Sequence, residues 1–217
     1  SLINLNKWLK KNKIVGITGL DTRSLTNFIR DKGAPKGTIS NNKKGNFNIK
    51  KLINISTKWP GLNGLDLAQE VTTKKTYTWK GLKTWKKGKG FEKNKKKILK
   101  IVAIDYGIKK NILRYFSNYN CEVKVVSCKK SAEEILKLNP NGIFLSNGPG
   151  DPAATGKYAI GIIKKLIKNN IPDAKIIVED LRGDQDHYSA TVISKSFKGK
   201  TKIQQHKMVY KSLGKKM

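Results

Sequence analysis

Between Ile98 and Lys168 three short strand-like runs, the first and third of them apolar, alternate with three amphipathic stretches, and this alternation limits the possible folds more than any other feature of the chain. The runs are Ile98–Ile104, Glu122–Val126 and Ile143–Ser146. Short apolar segments of this kind read as strands buried on both faces, the mark of a parallel sheet. Between the first two, Lys109–Asn118 sets Ile112, Leu113 and Phe116 on one helical face. Ser131 and Glu134 form a capping box, each side chain satisfying the other's free amide, and open a helix with Ile135, Leu136 and Leu138. A last helix over Tyr158–Lys168 repeats Ala159, Ile162, Ile163, Leu166 and Ile167 at helical spacing. A strand–helix order of this kind implies right-handed crossovers and a parallel sheet with helices on its faces.

The third run ends abruptly in Ser146-Asn147-Gly148-Pro149-Gly150-Asp151-Pro152. Two residues without side chains and two with fixed φ let backbone amides come close to a ligand. The carboxyl end of a strand is where open α/β sheets bind their ligands. Taken alone, the stretch also reads as a plain strand followed by a Pro-Gly turn.

At 217 residues the chain has room for one large or two small domains. No apolar run nears the roughly 20 residues of a membrane span, and none is expected. No basic-then-apolar leader is visible, and the start at Ser1 suggests that an N-terminal part is missing. Two cysteines, Cys121 and Cys128, make neither a disulfide framework nor a zinc site and suit a reducing cytoplasm. The net charge of +31 invites a polyanion-binding reading, but only Arg23, Arg30, Arg114 and Arg182 are arginines. Arginine is the residue suited to bidentate phosphate and guanine contacts. The lysines are spread along the chain with abundant Asn and Ile, as in an AT-rich genome, so nucleic acid is not the expected partner.

Ahead of the α/β segment, Leu2–Lys10 reads as a short helix and Ile14–Ile17 as a strand. Asp21 caps a helix with Leu25, Phe28 and Ile29 on one face and Gly33 as its stop. Ile49–Ile55 suggests another short helix, Trp59–Gly64 a turn, and Leu65–Val71 leads into a strand-like segment ending near Trp85. Lys86–Lys97 holds seven Lys, two Gly and one Glu, and reads as a solvated linker.

Two phrases of this first part resemble the N-terminal domain of the carbamoyl-phosphate synthase small subunit. They are Asp21-Thr22-Arg23-Ser24-Leu25-Thr26, continuing to Ile29-Arg30 and Gly33, and Pro60-Gly61-Leu62-Asn63-Gly64-Leu65-Asp66-Leu67-Ala68-Gln69-Glu70-Val71. The α/β segment resembles the first half of a class I glutamine amidotransferase domain. Ala103-Ile104-Asp105-Tyr106-Gly107 with Lys109-Lys110-Asn111-Ile112-Leu113-Arg114 is similar to its first strand and helix, and Asn139–Pro152 to its oxyanion strand. The resemblance implies a subunit that hydrolyses glutamine and passes ammonia to a large subunit, in pyrimidine and arginine biosynthesis, with no cofactor of its own. It also implies that the amide at Gly148 stabilises the tetrahedral oxyanion and that Gly150 contacts glutamine. Losing one such donor costs about 10²–10³ in rate.

After Asn170-Ile171-Pro172 the family continues with a glycine-flanked nucleophilic cysteine, and later a His and a Glu. Here residue 173 is Asp, and no Cys follows Cys128. Cys121 and Cys128 open and close a strand and read as structural, so no catalytic residue is assigned and glutamine hydrolysis is not expected. Instead, Ala174–Leu181 and His187–Ser194 read as the strands of a hairpin, and Phe197-Lys198-Gly199-Lys200 precedes a helix. With Gln204-Gln205-His206-Lys207-Met208-Val209-Tyr210, this segment resembles the BolA family, a KH-like α/β fold that partners monothiol glutaredoxins in iron–sulfur trafficking. The resemblance makes His187 and His206 candidate ligands of a shared iron–sulfur cluster. Alternatively, His187 is an exposed hairpin residue and His206 a partly buried one, on the helix face of Ile203, Tyr210 and Leu213.

The expected fold is thus α/β in three successive parts. A partial small-subunit N-terminal domain spans 1–85, with a linker over 86–97. A truncated, parallel, three-layer amidotransferase-like sheet spans 98–172, and a partial BolA-like hairpin–helix unit 173–217. The join falls near Ile171–Asp173, and an assembly error, a deletion and a genuine fusion all produce such a sequence. A sheet cut after three strands leaves Ile143–Ser146 as an open edge, on which Ala174–Leu181 is expected to dock as a fourth strand.

Overall fold

The computed structural model describes residues 3–33, 35–180 and 188–213. The chain forms two compact units, Ser1–Gly61 and Leu62–Met217. The division precedes the Lys86–Lys97 stretch expected to be a linker.

The first unit holds three helices: α1 (Leu5–Lys11), α2 (Thr22–Lys32) and α3 (Ile49–Lys58). Local chemistry accounts for their limits. Asn4, Asp21 and Asn48 each accept first-turn amides. Gly33 ends α2 at φ 77°, a backbone region that favours glycine. Ile14–Ile17, expected as a strand, has no regular structure, because among the described residues no strand lies beside it to pair with. None of this unit's described residues is buried.

The second unit opens with α4 (Leu67–Val71) and continues through β1 (Tyr77–Thr78), β2 (Leu82–Lys86), β3 (Gly90–Lys93), β4 (Leu99–Asp105) and α5 (Lys110–Asn118). Then follow β5 (Cys121–Ser127), α6 (Ala132–Leu136), β6 (Gly142–Leu145), α7 (Pro152–Asn170), β7 (Lys175–Asp180), β8 (Tyr188–Ile193) and α8 (Lys202–Leu213). The lysine-rich stretch is not a bare linker. Strands β2 and β3 pair antiparallel across it, with Lys86 opposite Gly90. The side chain of Asn118 on α5 holds β2 through the amide and hydroxyl of Thr84.

The main sheet runs β1-β5-β4-β6. Its three long strands are parallel, with Val102 opposite both Lys124 and Ile143. Alternation along β4 divides the core. Val102 and Ile104 face Ile135 of α6 and Ile162 and Leu166 of α7, with Ala68 of α4. Ala103, Val123 and Val125 face Leu113 of α5. Helices therefore cover both faces of the sheet, as the sequence predicts.

Two features of the sheet differ from expectation. A fourth strand is present, but it is β1, antiparallel on the β5 side, where Tyr77 meets Val125. Strand β7 pairs only with β8 and does not dock on β6. Its apolar face is claimed elsewhere. Ile176 and Val178 pack with Ile167 of α7, with Ile171 just after it, and with Phe197, Met208, Val209 and Leu213. Helix α7 thus serves two cores, one face on the sheet and the other on the C-terminal hairpin and helix.

Candidate functional site

The C-terminal ends of β4 and β6 meet at a knot of backbone hydrogen bonds. Asp105, 5% exposed, closes β4. One carboxylate oxygen accepts the amides of Gly107 and Ile108 at 2.9 and 2.8 Å, and the other accepts that of Thr73 at 2.8 Å. A buried carboxylate persists because it is saturated with donors. The Thr72 hydroxyl donates to the Asp105 carbonyl and accepts the Cys128 amide, tying the ends of β4 and β5 together.

Next to this knot the chain leaves β6. The Ser146 hydroxyl accepts the Tyr106 amide at 2.9 Å. At Gly148 an added Cβ would lie 2.2 Å from the Tyr106 carbonyl oxygen. At Gly150, φ is 91°, and a Cβ would lie 2.6 Å from the carbonyl oxygen of Leu65. Both glycines are therefore required by approach of one backbone to another within the chain. Asp151 clamps the far side. Its carboxylate accepts the Gly64 amide at 2.6 Å and the Ala153 amide at 2.8 Å, and its own amide donates to Leu65. The Gly64 bond first, then that from Ala153, holds the Asp151 carboxyl below the usual carboxylate range. The phrase Gly64–Leu67 thus braces the turn of the third run.

Asp151 also caps α7, with Pro152 at its first turn, so this helix begins at the turn rather than at Tyr158. The amides of Asn147, Gly148 and Gly150 find no acceptor among the described residues. Gly148 and Gly150 line a cavity of about 290 Å³. Its lining also includes Tyr106, Leu145, residues of α7 from Pro152 to Ile163, and Val178 of β7. Among the described residues no Asp, Glu, Lys, Arg, His or Cys lines it. The Tyr106 hydroxyl is buried without a hydrogen-bond partner among the described residues, and burial pushes its pKa up.

Both thiols lie away from the cavity. Cys121 is 6% exposed at the start of β5, and burial raises its pKa. Cys128, 2% exposed, packs into the sheet core with Ala68 and Val126. Neither is a free thiolate at a helix N-terminus, the setting that activates a nucleophile. Of the other expected site residues, His206 does not line the cavity. His187 lies outside the described residues. His206 is exposed on α8, which corrects its expected partial burial with Ile203, Tyr210 and Leu213. Ile203 and Tyr210 are exposed too, because Met208, Val209 and Leu213 face α7 and set the rotation of the helix. No group of three or more His, Cys, Asp or Glu suited to a metal occurs among the described residues.

Known families match the chain in three stretches. Residues 1–39 match the carbamoyl-phosphate synthase small chain, CPSase domain. Residues 102–173 match the class-I glutamine amidotransferase family. Residues 167–217 match BolA-like protein. The chain is 51% identical over 170 residues to the carbamoyl phosphate synthase small chain of Bartonella henselae, covering 78% of this chain and 42% of that protein. It is 47% identical over 169 residues to that of Bradyrhizobium diazoefficiens and 46% over 171 residues to that of Rhizobium meliloti, with the same shares. The chain resembles two families joined end to end. It spans about two fifths of the length of these small-chain relatives. The amidotransferase and BolA matches overlap at 167–173, the end of α7, which is the helix shared by the two cores.

Sequence reasoning located the turn and its two glycines. It missed the cavity wall from Val178 and the start of α7. The dipeptide Asp151-Pro152 carried the latter signal, an N-cap followed by proline at the first helical position.

Proposed function

We propose that this chain keeps the donor half of a carbamoyl-phosphate synthase small-chain glutaminase site and does not itself hydrolyse glutamine. The observation that carries this reading is the pair of amides at Gly148 and Gly150, which have no partner among the described residues, at a cavity that neither cysteine lines. Glutamine hydrolysis needs a nucleophile to add to the carboxamide carbon and donors to receive the oxyanion that forms. Main-chain donors at this turn suit the second task. Neither Cys121 nor Cys128 reaches the first. The framework is that of a subunit supplying ammonia, and the small-chain resemblance makes a synthetase large chain the expected partner, in the cytoplasm.

Glutamate release from glutamine tests the first claim. The purified chain is expected to show none above buffer, and a variant with both Cys121→Ala and Cys128→Ala is expected to behave identically. Saturable release that survives both substitutions overturns the reading. Co-purification with a carbamoyl-phosphate synthase large chain tests the partner.

A second reading rests on the separate core beneath β7, β8 and α8 and on the exposed imidazole of His206. It is a BolA-like module for a monothiol glutaredoxin. An imidazole is a suitable ligand for an iron–sulfur cluster. Among the described residues His206 belongs to no group of three or more His, Cys, Asp or Glu, so further ligands come from elsewhere. Visible cluster absorbance with a monothiol glutaredoxin, weakened by His206→Ala, is the expected outcome. A colourless mixture counts against it.

A further inference from the structure

The cavity beside Gly148 has an uneven lining. It is lined by Gly148 and Gly150, whose amides find no acceptor among the described residues, and by Ser146 and Thr155. The apolar part of the lining includes Leu145, Ala159, Ile160, Ile163 and Val178. Free glutamine is a zwitterion, and its ammonium group needs an anionic partner when it leaves water. Among the described residues no carboxylate lines this cavity. Asp151 follows Gly150 in the chain, but both its oxygens already accept backbone amides. At about 290 Å³ the space is at the small end for a ligand site. Val178 comes from β7, beyond the amidotransferase match that ends at 173, so this wall belongs to the combination found in this chain.

We infer that this cavity binds short aliphatic carboxylates. The carboxylate oxygens accept from the amides of Gly148 and Gly150, and the alkyl chain lies against Ile160, Ile163 and Val178. The positive field of a chain carrying +31 favours the anion over a neutral head group. Each added methylene gains by leaving water for this wall, so affinity rises with chain length until the space is full. The inference rests on the reading that the turn's amides are ligand donors, and it replaces glutamine as the ligand they serve.

The test is a titration of the isotope-labelled full chain followed by amide NMR, with sodium pentanoate, sodium acetate and L-glutamine as probes at constant ionic strength. Pentanoate is expected to shift the Gly148 and Gly150 amides saturably, and about tenfold or more tightly than acetate. Val178→Trp, which fills the cavity from β7, is expected to remove that preference. Ile160→Phe fills it from α7 and is expected to do the same, so the result does not depend on one variant folding. Equal affinity for acetate and pentanoate means an adventitious anion and overturns the inference. So does pentanoate binding that both filled variants leave unchanged. Shifts at both glycines with glutamine but not pentanoate overturn it too, while leaving the amidotransferase reading intact. Silence of both glycines with all three probes removes both readings.

Discussion

The two compact units use the same local vocabulary and reach different ends. In Ser1–Gly61, α2 presents Leu25, Phe28 and Ile29 on one face, and α3 presents Ile49 and Ile53, yet all five are exposed. In Leu62–Met217, Leu113, Ile135 and Leu166 occupy equivalent positions on α5, α6 and α7 and are fully buried. Caps and spacing are at least as good in the first unit, where Asp21 accepts two amides and Asn48 one. What differs is the sheet. An amphipathic pattern fixes which face of a helix is apolar, but only an opposing apolar surface turns that face into a core.

The sharpest way to break this comparison is a pair of truncations. Leu166→Ala removes a side chain packed between α7 and the sheet, and is expected to cost about 2–5 kcal/mol in denaturant unfolding. Leu25→Ala in α2 is expected to stay within about 0.5 kcal/mol. Equal losses would mean that the first unit has a core after all.

Next in size is Asp105→Ala. It strips the acceptor from the amides of Thr73, Gly107 and Ile108, and leaving buried donors unpaired costs about 1–3 kcal/mol each where water cannot replace the bond. A loss of about 3 kcal/mol is expected by chemical denaturation. Asp105→Asn, which keeps one carbonyl oxygen, is expected to lose less. Gly148→Ala comes third, at about 1–3 kcal/mol, because its Cβ must push the Tyr106 carbonyl away. The Asn48 cap of α3 is the counterpart in the first unit. Asn48→Ala is expected to cost that helix about 1 kcal/mol, read as lost helical circular dichroism, without shifting the unfolding of the second unit.

These sites also show how far the sequence reached. Strands β4 and β6 were legible as apolar runs, and β5 as a strand between two amphipathic helices. The capping box at Ser131 and Glu134 was legible because its geometry is local, and both of its bonds form. The hairpin of β2 and β3 was hidden by lysines, whose exposed heads mask any alternation. Strand β1 contributes only two residues and is held by pairing with β5, which no local pattern announces. The rotation of α8 was misread for a related reason. Ile203 and Tyr210 look like core residues, but the choice between them and Met208 and Val209 was made by the second face of α7. At the site, the glycines were visible, while their partners Leu65 and Tyr106 lie far away in the chain.

The smallest expected effect concerns acid, and it compares two carboxylates doing different jobs. Asp21 is a purely local cap whose carboxyl is lowered chiefly by the Ser24 amide. Asp151 is lowered chiefly by Gly64, a residue far away in sequence. Both folded values lie below the unfolded one, near 3.9 for Asp. The stabilisation from each is therefore complete above that value and is lost as pH falls through the folded value. Between pH 7 and pH 5 neither should change anything measurable. Below about pH 4, protonation of Asp21 is expected to fray α2 alone. Protonation of Asp151 is expected to release Gly64 from the turn, seen as faster hydrogen exchange at the Gly64 amide and at Ala153. Asp151→Asn should show that exchange already at pH 7, and a Gly64 amide equally protected in both proteins would mean that the turn is braced by the Asp151–Leu65 backbone bond instead.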